Sequence, residues 1–181
     1  NYGEPIGIIE ARKLGADILD SEIDLTIAGE QSSYLLMTQL LLGRFLFGLD
    51  DDPWKNDKEP AFLCAVPGFD RHFATLEGLG LKMHTVNLCS SGIDLDDLNK
   101  KLSKYPNIKG LICVPRHSNP SGEVFSDENI TNLLKITKEY NSSFINLFDH
   151  AYLIHDFDET RVQTPIPLLA DGLGALDNVA V

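Results

Sequence analysis

Phe144-Ile145-Asn146-Leu147-Phe148-Asp149-His150-Ala151-Tyr152 is the stretch on which the reading of this 181-residue chain turns. A short, mostly apolar run stops at an acid, and a phenol follows three positions later. A run of that length bounded by polar residues suits a strand covered on both faces, as in a parallel sheet. Asp149 then stands at the carboxyl end of the strand. In open α/β sheets, ligands bind in the crevice beyond those ends, so a carboxylate emerging there is a candidate ligand-holder. An acid in that place also serves as a turn or helix-cap residue, and other residues must point to the same crevice to favour the ligand.

They lie upstream. Residues 108–114 form another short apolar run, which empties into Pro115-Arg116-His117-Ser118-Asn119-Pro120-Ser121-Gly122, a segment rich in loop punctuation. One strand end thus carries Asn119 and the next carries Asp149 with Tyr152. Further strands are expected at 61–66 and 81–88, with one beginning at 178–181. Helices are expected between them at 70–79, at 94–105 (acids at its start and lysines at its end, in agreement with the helix dipole), from Ser126 onward, and at 165–172. Nearer the amino terminus, the spacing predicts a helix over 3–19 with Pro5 in its first turn and a strand over 23–28. A long apolar helix through Phe47 follows Gly29-Glu30-Gln31-Ser32-Ser33. This alternation predicts an α/β fold: a doubly wound, mainly parallel sheet flanked by helices, with right-handed crossovers and no interdomain linker.

Two further features aim at the crevice. Ser32 and Ser33 at a helix start can hold an anion, where free N–H groups and the positive end of the dipole meet; a plain helix cap uses the same residues. Phe69, leaving the strand at 61–66, offers a flat ring for stacking. No chemistry is assigned to Arg71 or His72. The acidic loop at 50–59 lacks the Gly and closing Glu of an EF-hand, so it reads as solvated. His150, His155, Asp156 and Asp158 share one loop rather than fixed positions on regular elements, and no metal is expected there. A net charge of −12 disfavours nucleic acid or an anionic membrane surface as a partner. No apolar run is long enough to span a bilayer. Cys64, Cys89 and Cys113 are an odd set, two of them inside apolar runs, which suggests free buried thiols and a cytoplasmic setting.

Asn119-Pro120-Ser121-Gly122 and Asp149-His150-Ala151-Tyr152 resemble the Asn-Pro-x-Gly and Asp-x-Ala-Tyr motifs of fold-type I pyridoxal-phosphate enzymes, above all aminotransferases. Asn1-Tyr2-Gly3 with Glu10-Ala11-Arg12, Pro67 to His72, and Cys113 to Gly122 resemble most closely the bacterial aspartate aminotransferase subgroup with a MocR-type aminotransferase domain. The likeness runs along essentially the whole chain, in order. It implies pyridoxal 5′-phosphate as the cofactor. Asp149 would keep the ring nitrogen protonated, and Asn119 and Tyr152 would hydrogen-bond the ring's phenolic oxygen. Phe69 would stack in place of the Trp or Tyr of relatives, Ser32 and Ser33 would take the phosphate, and Tyr2 would reach the phosphate of a partner subunit, implying a homodimer. The implied substrates are an amino acid, aspartate by analogy, and a 2-oxo acid. No lysine follows Lys138, and the resemblance puts the Schiff-base lysine on the strand just past Val181. Residues 1–181 are therefore expected to be a large domain cut before that lysine, without the small domain and inactive alone. A pyridoxal-phosphate lyase or decarboxylase, or the effector-sensing aminotransferase-like domain of a transcription regulator, would carry the same motifs.

Overall fold

Alternation along the strands decides which helices lie on which face of the sheet. The computed structural model describes residues 3–29, 32–49, 52–156 and 163–181. Its sheet holds six strands in the order β3-β2-β1-β4-β5-β6: β1 (Ala61–Val66), β2 (Lys82–Cys89), β3 (Gly92–Ile93), β4 (Ile108–Cys113), β5 (Ile145–Phe148) and β6 (Val179–Ala180). All neighbours run parallel except β3, a two-residue strand antiparallel to the end of β2. Ala61, Leu63 and Ala65 of β1 join one core with Leu111 and Cys113 of β4 and Phe148 of β5, whereas Phe62, Cys64, Ile112, Ile145 and Leu147 join a second core on the opposite face.

The helices sort accordingly. α4 (Leu95–Lys104), α5 (Asp127–Tyr140) and α6 (Ile166–Gly172) supply Leu98, Leu102, Ile130, Leu133, Leu134, Ile166 and Ala170 to the first core. α2 (Ser33–Phe47) and α3 (Asp70–Gly78) supply Leu41 and Leu76 to the second, with Trp54 between them. Helices on both faces of a mainly parallel sheet are the expected doubly wound arrangement, and all four residues of β5 are buried as its apolar run requires. Gly110 in β4 marks a tight crossing, because a Cβ there would fall 2.4 Å from both the Ile145 carbonyl oxygen and Phe62 Cζ.

Local chemistry accounts for the helix starts. The Asp94 carboxylate accepts from the N–H groups of Asp96 and Asp97 at 3.0 Å, and Ser126 Oγ accepts from Asn129 N–H at 3.1 Å. The Asn129 side chain meanwhile bonds both the N–H and the C=O of Ile93, tying α5 to β3. In β5 the wholly buried Asn146 donates to Thr137 Oγ1 of α5 and to the Asn178 carbonyl before β6. It thereby fixes the register at that edge of the sheet.

The amino-terminal part departs from expectation in two places. α1 spans Ile9–Leu19 rather than 3–19, because Glu4 C=O accepts from Gly7 N–H in a turn and Gly7 has φ +93°, which a right-handed helix cannot contain. Residues 23–28 form no strand. Ile23–Leu25 is a single 3-10 turn, and the buried Arg12 donates through Nε to Thr26 C=O at 2.8 Å and through Nη2 to Ile23 C=O at 2.6 Å. The alternating apolar side chains Leu25 and Ile27 point outward instead of into a core. Backbone groups that a neighbouring strand would have paired are taken by this guanidinium and by the turn.

Candidate functional site

The site is assembled where β1, β4 and β5 end, on three loops of the same sheet edge. Asp149 is the first residue past β5, and its N–H continues the ladder by donating to Cys113 C=O at 2.9 Å. That bond fixes where the side chain leaves the sheet. One carboxylate oxygen meets His72 Nε2 at 2.9 Å, and the other accepts from Ala151 N–H at 3.1 Å. His72 is buried in the first turns of α3. Phe69 immediately precedes that helix, and its ring meets the His72 ring edge-on, with centroids 5.2 Å apart. The His72 hydrogen bond, against the opposing effect of burial, draws the Asp149 carboxyl below the ordinary carboxylate range. The acid is therefore an anion at neutral pH, only partly exposed and with a fixed orientation.

The crevice beside it is lined by Ala65, Pro67, Gly68, Phe69, His72 and Ser118, among others. A Cβ on Gly68 would lie 2.3 Å from Ala65 C=O, so only glycine lets the chain turn here and bring Phe69 to the crevice. On the neighbouring loop, Asn119 Nδ2 lies 3.4 Å from Tyr152 Oη, a long donor contact between the two sequence motifs. The bonds between Ser118 and Glu123 and between Gly122 and Ser118 close the Asn119 turn, and the Val66–Pro67 and Asn119–Pro120 peptides are cis. Burial and the nearby Asp149 both push the Cys113 thiol upward, so it stays protonated below the crevice.

Asp149, Phe69, Asn119 and Tyr152 thus lie on adjacent loops of one sheet edge. Ser32 and Ser33 stand apart from their hydrogen bonds, at the exposed start of α2. Ser32 occupies the cap position of α2 in extended geometry, and its hydroxyl makes no cap hydrogen bond. Tyr2 lies outside the described residues. His72 is the residue that sequence reasoning left without a role. A signal existed in its spacing from Phe69, which places both at the start of one helix. The acids and histidines of the loop after β5 are each engaged separately. Asp156 pairs with Arg116 and His117, His155 packs edge-on to Tyr152, and the half-buried His150 lies near Arg116; Asp158 lies outside the described residues. No helix among the described residues is long and apolar enough to cross a membrane.

The arrangement brings a fixed anion, an aromatic ring and a hydrogen-bonding amide–phenol pair to one end of the sheet. The aspartate aminotransferase of Corynebacterium glutamicum is 33% identical over 157 residues, which is 86% of this chain and 36% of the relative. A Mycolicibacterium smegmatis protein with an aminotransferase name is 33% identical over 97% of this chain and 40% of its own length. The crystal structure of an aminotransferase-assigned protein from Corynebacterium diphtheriae superposes with a TM-score of 0.89 at 31% identity, covering 99% of this chain and 44% of that one. The chain thus spans less than half the length of these relatives. With the profile of the aspartate amino-transferase family matching residues 1–174, the chain belongs to that family.

Proposed function

We propose that this chain is the cofactor-binding part of a pyridoxal-phosphate-dependent aminotransferase of the bacterial aspartate aminotransferase subgroup with a MocR-type domain. It would pass an amino group from an amino acid, aspartate by likeness to the Corynebacterium glutamicum enzyme, to a 2-oxo acid. The observation that carries the reading is the Asp149 carboxylate, held ionised by the buried His72 at the end of an apolar strand. The residues present fit the cofactor. A fixed anion is bonded to His72, which lines the same crevice as a half-buried aromatic ring, and the chain before that ring has no room for a side chain at Gly68. Bound there, the cofactor supplies an electron sink in its protonated pyridine ring.

The residues of this chain have distinct tasks in that reading. Asp149 holds the proton on the ring nitrogen, since an anion within ion-pair distance favours the charged form. His72 orients the Asp149 carboxylate and keeps it anionic. Phe69 covers one ring face and excludes water from it. Asn119 and Tyr152 donate hydrogen bonds to the phenolic oxygen, and Asn119 also reaches the substrate carboxylate. Ser32 and Ser33 take the phosphate with the free N–H groups at the start of α2. Tyr2 serves the site of a partner subunit, which makes the full protein a homodimer, in a cytoplasmic setting.

The test is Asp149→Ala in the full-length protein. It should lower turnover about a hundredfold or more, because proton transfers that depend on the charged ring then lose their support. Glu77→Gln, on the exposed side of α3, should leave it near the wild-type value. Equal losses in the two variants would remove Asp149 from the role assigned to it.

A further inference from the structure

The segment after β5 carries Asp149 at its start and Asp156 seven residues on, with Tyr152 between them. Asp149 is tied down by its own N–H to Cys113 C=O and by His72. At the far end, Asp156 grips the loop after β4 in two places. One oxygen accepts from Arg116 Nε at 3.0 Å and from His117 Nε2 at 2.7 Å, while the second pairs with Arg116 Nη2. The fork geometry of a guanidinium against a carboxylate makes this a directional link rather than a mere attraction. The Arg116 side chain is only 9% exposed, and among the described residues Asp156 is the carboxylate that pairs with it. His117 adds a sign that the loop is held. Its φ is +51°, a region that residues other than glycine seldom occupy and that persists where the surroundings dictate it.

Three residues past Arg116 comes Asn119, and four residues before Asp156 comes Tyr152. We propose that Asp156, through Arg116 and His117, is a positioning residue that sets the distance between Asn119 and Tyr152. The loop after β4 cannot move relative to the loop after β5 without breaking the clasp, and the Asn119–Tyr152 contact, at 3.4 Å, sits at the long end of hydrogen-bond range. Such a contact is sensitive to a few tenths of an ångström. The value of this placement for catalysis rests on the function proposed above, but the placement itself concerns the protein alone.

The experiment uses the full-length polypeptide without added cofactor, labelled with 13Cζ-tyrosine and 15N, with Tyr152→Phe and Asn119→Asp used only to assign signals. Asp156→Asn should move both the Tyr152 13Cζ signal and the Asn119 side-chain amide, leave the His72 ring signals in place, and be partly reversed in Asp156→Glu. The exposed Glu77→Gln should move none of them. If Asp156→Asn does not fold, Arg116→Lys, which keeps the charge and loses the Nε bond, should give the same pair of shifts. The proposal is overturned if the Arg116 Nε–H signal moves while Tyr152 and Asn119 stay at their wild-type positions. It is equally overturned if His72 shifts as much as Tyr152, which would mean general disruption. Loading the wild-type protein with pyridoxal phosphate separates the two ideas. Failure to form a chromophore would sink the proposed function and leave the Tyr152 shift to judge the clasp.

Discussion

Replacing His150 by Gln should make the protein more resistant to acid. The His150 ring follows Asp149 directly, and its Nδ1 is buried with no hydrogen-bond partner among the described residues. Burial, reinforced by the Arg116 guanidinium and only partly offset by Asp149, lowers its pKa from 6.5 to about 4. In the unfolded chain the ring titrates near 6.5, so between these values the unfolded state binds the extra proton and the folded state does not. Stability therefore rises with pH across this window and falls as the pH drops through it. With the two pKa values 6.5 and about 4, the loss between about pH 7 and about pH 4.5 is on the order of 2.5 kcal/mol. The Asp149 carboxyl works in the same sense, but only at lower pH. Its pKa is depressed, so its contribution is complete above the ordinary carboxylate range and disappears below it, outside this window. Urea unfolding followed by tryptophan fluorescence at the two pH values would measure the difference in wild type and in His150→Gln. The variant should lose most of the pH-dependent drop. An unchanged drop would refute the claim that His150 is held neutral by its surroundings.

Replacing Ser32 and Ser33 together by Ala in the full-length protein should speed loss of the visible chromophore on dialysis, because a helix start keeps its N–H groups but loses two hydroxyl donors. Unchanged retention would return the pair to a structural role. Gly110→Ala should destabilise the fold by about 2–3 kcal/mol, since the new methyl must displace Phe62 or the backbone of β5. Denaturant melts of this variant would measure it, and a loss near zero would mean that the β4–β5 spacing is softer than the structure indicates.

The order of strands and helices was legible because each core strand is a short apolar run and each helix an apolar stripe, and both are local patterns. The two-sided burial of Ile145–Phe148 followed from the same run. So did the positions of Asp149, Asn119 and Tyr152, since each stands where a strand gives way to a loop. The strand expected at 23–28 failed for a reason that no local pattern carries. Its carbonyls are claimed by Arg12, whose side chain reaches across from α1.

The partners within the site were decided by tertiary structure alone. His72 and Asp149 are 77 residues apart, and Arg116 and Asp156 are 40 apart, so neither pairing leaves a periodic trace. A histidine at the start of α3 reads the same whether it faces solvent or a carboxylate two strands away. Which one it faces depends on the parallel register that brings the ends of β1, β4 and β5 to one edge. The sequence by itself determined the doubly wound architecture and the residue types at the strand ends, because burial and turn chemistry act over a few neighbours. Only the packed sheet decided that Asp149 is held by His72, that Asp156 clasps Arg116 and His117, and that His150 Nδ1 is left buried without a hydrogen-bond partner among the described residues, because these surroundings are made by segments that the chain brings together only once it has folded.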